Sequence, residues 1–424
     1  MPDQSAEACV SISPTPKKLS SFYIASQVTP EGFDEIQRLI LAYMLNQHVA
    51  LSGPPGVGKT KSVYEAAKIL RLPLYMKSCS SRTTESQIIS YPVLTERNGT
   101  SVTAHVNGPL ALAMINGGIF YGDEFNLLRS DVQKRMNSAF DERRAIDRND
   151  GVQIKAKNGF WAVISYNPTD SMVTRDLEDS VADRFIHFHY DRWPSNFKAF
   201  VSSRIAQGKS PFREDNMNDF NLKLGWRGIA SDLTFLEGKV ESGTIVWCNF
   251  FTKQPWQGKP YYIYRCYKQV SNASQMMEGG IYSENTLAMM IAEFTDIVYN
   301  LSKTGQSPLL SQYGMQNVIS PDDLEIFSIH ETSTRIESAA LAHHHELIQK
   351  GCKAQLAQSY AVRMVIDQIC YGQFRNKMLS NMSVHQLVTN IAECLGLLGP
   401  RKRFNTTPPD DDRTSMSKKL SKKP

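Results

Sequence analysis

The sequence predicts an α/β protein: a parallel sheet with helices on its faces, then a β-rich stretch, then a helical region. Three observations carry this. Residues 31 to about 190 alternate short apolar strands with amphipathic helices. The segment Gly53-Pro54-Pro55-Gly56-Val57-Gly58-Lys59-Thr60 joins one such strand to one such helix. Another apolar strand, Ile119 to Gly122, ends in the acidic pair Asp123-Glu124.

In chain order, residues 1–20 are rich in Ser, Pro and Lys, a composition that predicts disorder. Phe33, Ile36, Leu39, Ile40 and Tyr43 recur at helical spacing, so 31–46 reads as an amphipathic helix. His48 to Ser52 is a short apolar strand, and Lys61 to Leu70 is the helix beyond the glycine-rich segment. Tyr91 to His105 reads as strand, Asn98-Gly99 turn, strand; Ala145 to Lys157 repeats the pattern around Asp150-Gly151. Phe160 to Ser165 is an apolar strand ending in Tyr166-Asn167-Pro168, and Asp183-Arg184-Phe185 leads into the alternating strand Ile186 to His189. The character changes after about 200. Segments 232–240, 243–252 and 260–269 read as strands in an aromatic-rich stretch that holds Trp226, Trp247 and Trp256. Helices follow at 284–301, 335–350, 355–371 and 384–398. From 401 onward Pro408-Pro409, an acidic triplet and Ser/Lys repeats predict a disordered tail.

Composition narrows the function classes. The chain has 424 residues, enough for two or three domains, and a formal net charge of +5. Residues 401–424 carry eight basic and three acidic side chains, so the tail holds the whole excess. A neutral body argues against a protein that coats nucleic acid. No apolar run approaches the roughly 20 residues that span a bilayer. Asp3 and the lack of an apolar signal core argue against secretion. Seven scattered cysteines without a Cys-x-x-Cys pair fit a reduced, cytoplasmic chain without a zinc site.

The glycine-rich segment fits the phosphate-loop pattern Gly-x-x-x-x-Gly-Lys-Ser/Thr, with a strand before it and a helix after it. Its glycines let backbone N–H groups curl around phosphate oxygens, and the helix adds its positive N-terminal end. The expected nucleotide-binding set is Gly53, Pro54, Pro55, Gly56, Val57, Gly58, Lys59, Thr60 and Lys61. Lys59 would reach the β and γ phosphates, and Thr60 would ligate Mg²⁺. Asp123 would hold the same ion, mostly through water, and Glu124 would act as general base on the attacking water. Asn167, an amide at a strand tip, could orient that water. The expected cofactors are therefore ATP and Mg²⁺.

Taken in order, the phosphate loop, the Asp-Glu strand, Ser165-Tyr166-Asn167-Pro168 and Asp183-Arg184-Phe185 resemble the AAA+ ATPases. More narrowly, Asn107-Gly108-Pro109-Leu110, Gly117 to Asn126 and Asp141-Glu142-Arg143-Arg144 resemble the MoxR-like group and its CbbQ/NorQ branch. The likeness is good over 31–195, thinner over 284–372, and absent from 205–282 and the tail. It implies an AAA+ core at 21–195 and a helical lid at 196–400. The spacing between Arg184 and Arg335 is 151 residues, so 205–282 is expected as a β-rich insertion within that lid. The resemblance implies that Asn167 is sensor 1. It makes Arg335, at the start of the Ser333-Thr334-Arg335 helix, sensor 2. Arg184 becomes the arginine finger, with Arg175 as runner-up and Arg143 or Arg144 behind it. A finger in trans implies a homo-oligomeric ring, usually a hexamer. The hairpins would face the pore or the partner.

The reading that follows is a ring ATPase that remodels a protein client. In this group it works with a von Willebrand A-type partner; no Asp-x-Ser-x-Ser motif stands in this sequence, so that partner would be a separate chain. One alternative is a nucleic-acid-associated motor, for which Arg97, His105, Lys155 and Lys157 offer only a weak basic pore. The other is a nucleotide switch or scaffold without turnover, which the intact Lys59, Asp123, Glu124 and Asn167 disfavour. His343-His344-His345 cannot share one helix face, so an exposed polar face is expected rather than a metal site. His187 and His189 share a strand face but lack a third ligand nearby, so packing is expected there too. The aromatic stretch is expected to pack as buried β structure rather than stack bases.

Overall fold

The computed structural model describes residues 22–400 apart from 30–32, 98–99, 168–176, 209–226, 231, 243, 266–280, 314, 316–317, 328 and 330–333. The disorder expected for 1–20 and 401–424, the Asn98-Gly99 turn, Trp226 and Arg175 lie outside the described residues. The chain divides into two compact units.

The first unit opens with strand β1 (Phe22–Ala25) and helix α1 (Glu35–Met44). Helix α1 starts in a capping box: Asp34 Oδ1 accepts from the Gln37 N–H, and Gln37 Oε1 accepts from the Asp34 N–H. Strand β2 (His48–Ser52) is buried throughout and delivers the phosphate loop to α2 (Lys59–Leu70). Then come β3 (Leu74–Ser78), the short α3 (Glu85–Ile88), the hairpin β4 (Ser90–Arg97) and β5 (Thr100–Asn107), and α4 (Pro109–Asn116). Helix α4 has Pro109 in its first turn and ends on Gly117 in the left-handed region, so its ends are written in its sequence. Strand β6 (Ile119–Asp123) precedes α5 (Ser130–Arg135), α6 (Asn137–Phe140), the hairpin β7 (Ala145–Asp147) and β8 (Gln153–Lys155), β9 (Trp161–Tyr166), α7 (Asp179–Ala182) and β10 (Phe185–His189).

Five of these strands form one parallel sheet in the order β10-β2-β9-β6-β3. Strand β9 therefore lies between the phosphate-loop strand and the acidic strand. Both faces are apolar. Phe120, Phe125, Phe140, Ala162 and Ile164 pack on one side, and Val49, Leu51, Val63, Tyr121 and Val163 on the other. Burying each large apolar side chain contributes about 1.5–3 kcal/mol, so strands covered on both faces read as near-continuous apolar runs.

The β-rich stretch does not fold as an insertion within a helical lid. Strands β11 (Arg227–Ile229), β12 (Phe235–Glu241), β13 (Thr244–Asn249) and β14 (Tyr261–Arg265) join β1 in a second five-stranded sheet, order β1-β14-β11-β12-β13. This sheet belongs to the same compact unit as the phosphate loop. Its apolar face covers α1: Tyr23, Ala25, Ile229 and Phe235 pack with Ile36 and Ile40, and Ile69, Leu70 and Tyr261 border the cluster. The physical reason is pairing at long range, because β1 runs parallel to β14 with Phe22 opposite Tyr262. A polar latch adds to the packing. The Tyr261 hydroxyl donates to Glu65 on α2 at 2.7 Å, and Glu65 also pairs with Lys61 and Lys68.

The second unit holds α8 (Ser195–Ala206), α9 (Glu284–Thr304), α10 (Pro308–Gln312), α11 (Pro321–Ile326), α12 (Thr334–Gln349), α13 (Ala354–Ile369) and α14 (Val384–Cys394). Buried Lys198 on α8 ties it together, reaching Asp296 on α9 at 2.8 Å and Glu337 on α12 at 3.2 Å. No described helix is long and apolar enough to cross a membrane.

Candidate nucleotide site

The phosphate loop needs glycine at both of its tightest points. At Gly53, φ is +145° and an added Cβ would lie 2.3 Å from the Tyr190 carbonyl oxygen. At Gly58, φ is +91° and a Cβ would meet the Trp193 ring at 3.1 Å. Gly58 also caps α2, so the helix begins at Lys59 with its first N–H groups turned to the loop. Lys59 is buried, and its ammonium donates to Gly53 O at 2.6 Å, Pro54 O at 2.9 Å and Asn167 Oδ1 at 2.7 Å. The expected sensor amide is thus in direct contact with the phosphate-loop lysine. Lys61 instead pairs with Glu65 along the helix at 2.8 Å.

Asp123 and Glu124 stand at the tip of β6. Gly122 before them faces the Phe125 ring, which a Cβ would meet at 2.7 Å. Glu124 is exposed and sits in the left-handed region at φ +54°, so the expected base carries local backbone strain of about 1–2 kcal/mol. Thr60 and Asp123 are joined by a run of hydroxyls. Thr60 Oγ1 lies 3.1 Å from the Tyr121 hydroxyl, which lies 2.9 Å from Ser165 Oγ, which donates to Asp123 Oδ1 at 2.5 Å. Burial, then the Asp123 charge, push the Tyr121 phenol above its usual range, so it stays protonated at neutral pH.

The arginines are placed differently from one another. Arg184 Nη2 lies 3.7 Å from Asp141, and Nη1 donates to the Ser180 carbonyl. Asp141 is also clasped by Arg143 at 2.6 Å, and this hydrogen bond holds the carboxyl below its ordinary range. Arg144 donates to Phe160 O at 2.6 Å and lies over the Phe160 ring, which gives it a local structural partner. Arg335 is exposed in the first turn of α12, in the second compact unit.

Sequence reading missed Tyr121, Ser165, Tyr190 and Trp193. Tyr121 stands inside one apolar strand and Ser165 closes another, with no role of its own in the Ser165-Tyr166-Asn167-Pro168 motif. The available signal was a hydroxyl on each of two strands that both end at the site. Tyr190 braces the loop through Ser62, at 2.8 Å between hydroxyls. His187 and His189 have separate partners, Tyr166 with Ala182 O and Ser52 respectively. The three consecutive histidines also diverge: His343 lies against Tyr360, His344 is buried, and His345 pairs with Glu284. The two hairpins form as expected and touch, since Arg148 beside the second reaches Asn107 at the base of the first at 3.1 Å.

Comparison with known proteins agrees with this geometry. Residues 48–185 match the model of the AAA domain, dynein-related subfamily. The denitrification regulatory protein NirQ of Stutzerimonas stutzeri is 32% identical over 180 residues, covering 42% of this chain and 63% of the relative. Protein NorQ of Paracoccus denitrificans is 35% identical over 164 residues, covering 38% of this chain and 58% of the relative. NirQ of Pseudomonas aeruginosa is 31% identical over 177 residues, covering 42% and 65%. The chain thus spans less than two thirds of the length of these relatives. The phosphate loop with its buried lysine, the acidic strand tip, the strand that lies between them and these matches together identify residues 48–185 as an AAA domain of the dynein-related, MoxR-like family.

Proposed function

We propose that this protein hydrolyses ATP to ADP and phosphate and, as a homo-oligomeric ring, uses the cycle to remodel a protein client. The single observation that supports this most is the position of Lys59. Its ammonium is held at the loop by Gly53 O, Pro54 O and the Asn167 amide. An incoming γ-phosphate offers stronger, charged acceptors than those carbonyls. Lys59 would leave them for the phosphate, and Asn167 would be released to hold the attacking water. Glu124 takes the proton as the water oxygen bonds to the γ-phosphorus and the bridging oxygen departs with ADP. Bound Mg²⁺, on Thr60 and Asp123, would neutralise phosphate charge.

The ring and the client are the finer part of the proposal. Their support is the likeness to NirQ and NorQ and the pair of hairpins on the nucleotide core. In the ring Arg184 would leave Asp141 and reach the neighbouring subunit's nucleotide, and Arg335 would touch the γ-phosphate from the lid. A von Willebrand A-type protein would be a separate partner. The test compares ATP turnover and mass in solution for the parent protein and Glu124→Gln. Turnover abolished by the variant, with an ATP-dependent ring that retains a client from cell extract, supports the reading. Turnover that survives Glu124→Gln refutes the assigned chemistry, and a strictly monomeric ATP-bound protein refutes the ring.

A further inference from the structure

We infer that Tyr121 and Ser165 are positioning residues for the cation end of the site: together they fix which way the Thr60 hydroxyl and the Asp123 carboxylate face. The inference rests on the Mg²⁺–nucleotide reading above.

The need for such residues follows from the sheet order. Thr60 follows β2, whereas Asp123 ends β6, and β9 lies between those strands. The Thr60 hydroxyl is linked to Asp123 through the Tyr121 hydroxyl, 3.1 Å from Thr60 Oγ1 and 3.3 Å from Asp123 Oδ1. Tyr121 spans the gap. It lies two residues before Asp123 on the same strand and therefore on the same face. Ser165 comes from β9, one residue beyond the Ile164 that pairs with Gly122, and so stands beside Asp123.

Counting protons gives the chain a direction. Ionised Asp123 can only accept, so the 2.5 Å contact requires Ser165 to donate. Tyr121 faces two acceptors, Ser165 Oγ at 2.9 Å and Asp123 Oδ1 at 3.3 Å, and its one proton goes to that side. Tyr121 has in turn used its own, and at 3.1 Å it accepts from Thr60. The protons run from Thr60 through Tyr121 to Asp123, by way of Ser165 and by the direct contact. The Thr60 proton therefore points into the protein and its lone pairs face outward, which is the state a cation ligand requires. One carboxylate oxygen of Asp123 is engaged by Ser165, which leaves the other for the ion or its water. Tyr121 and Ser165 are both fully buried, so bulk water does not compete for these bonds.

The test measures nucleotide binding rather than turnover. A fluorescent ATP analogue is titrated onto the full chain in EDTA and then across a MgCl₂ series, for the parent, Tyr121→Phe, Ser165→Ala and Asp123→Asn. Both hydroxyl deletions should leave metal-free affinity unchanged and raise the Mg²⁺ concentration for half effect about 10- to 100-fold, the usual range for outer partners of metal ligands. The inference is overturned if Asp123→Asn shifts the Mg²⁺ midpoint while the two hydroxyl deletions do not. It is also overturned if they lower metal-free affinity instead. Should Tyr121→Phe fail to fold, Ser165→Ala decides alone. If the parent's affinity ignores Mg²⁺ altogether, the Mg²⁺ part of the reading has itself failed, which is a separate outcome.

Discussion

The ammonium of Lys59 and the amide oxygen of Asn167 lie 2.7 Å apart, 108 positions away in the chain. With Gly53 O and Pro54 O, Asn167 supplies one acceptor for each proton of the lysine. The two residues should therefore separate cleanly in function. Lys59→Ala should abolish ATP binding. Asn167→Ala should retain binding while turnover falls about 100-fold, the loss typical of one well-placed polar group. Equilibrium binding and steady-state turnover, measured on the same preparations, check this; loss of binding in both variants would contradict it.

Glu124 should trade stability for chemistry. Its backbone stands at φ +54°, where asparagine is more at ease than glutamate. Glu124→Asn is expected to raise stability by about 0.5–1 kcal/mol, part of the left-handed penalty, while removing turnover. Thermal unfolding beside an ATPase assay reads both, and a destabilised variant would show that the strain is not local to this residue.

The Tyr261–Glu65 hydrogen bond should be measurable as a latch. Glu65 is buried, and Tyr261→Phe removes one bond to a charged acceptor that keeps Lys61 and Lys68. The expected loss is about 1–2 kcal/mol. Hydrogen exchange should quicken in β1 and β14 before it does in β2 and β9; uniform quickening would mean that the second sheet has no separate opening.

His48 should make stability depend on pH. Its ring sits among Phe140, Phe160 and Phe185, and Nδ1 accepts from the Ala162 N–H at 3.0 Å. Burial, then the Arg144 charge, push the imidazole down to about 3 from 6.5. Between those values the unfolded chain binds a proton that the folded one refuses, so stability rises with pH. This contribution is complete above about 6.5 and is lost as pH falls, by about 1.4 kcal/mol per unit. His48→Gln keeps an acceptor but cannot titrate. The stability gap between parent and variant should narrow by that amount from pH 6 to pH 5 in urea melts. A constant gap would mean the folded ring is already charged.

What could be read in the sequence was what is local. The phosphate loop, the acidic strand tip and the long helices of the second unit each have their residues in one run, with caps such as Ser283 and Ser383 at the starts of helices. Strand neighbours were not legible, because nothing local in β9 says that it lies between β2 and β6. The β-rich stretch was placed with the wrong partner for the same reason. Tyr261 reads as an ordinary strand aromatic until Glu65 is found beside it. Tyr121 and Ser165 were hidden because a hydroxyl in an apolar strand has no signature until its acceptor arrives from another strand.

The parallel pairing of β1 with β14 bears on where this chain can be cut. The recognisable family module ends at 185, yet the apolar flank formed by α1 is covered by residues from 22–25 and 227–265. A fragment trimmed to 48–185 would drop α1 and the strand β10 that closes one edge of the main sheet. A fragment beginning at 31 would keep α1 but leave β14 as an open edge, where a second molecule could add a strand. Expression boundaries should therefore keep both ends of the clasp, 22–25 and 261–265, on the same polypeptide. A truncated piece that aggregates would be reporting a missing strand rather than a defective nucleotide site.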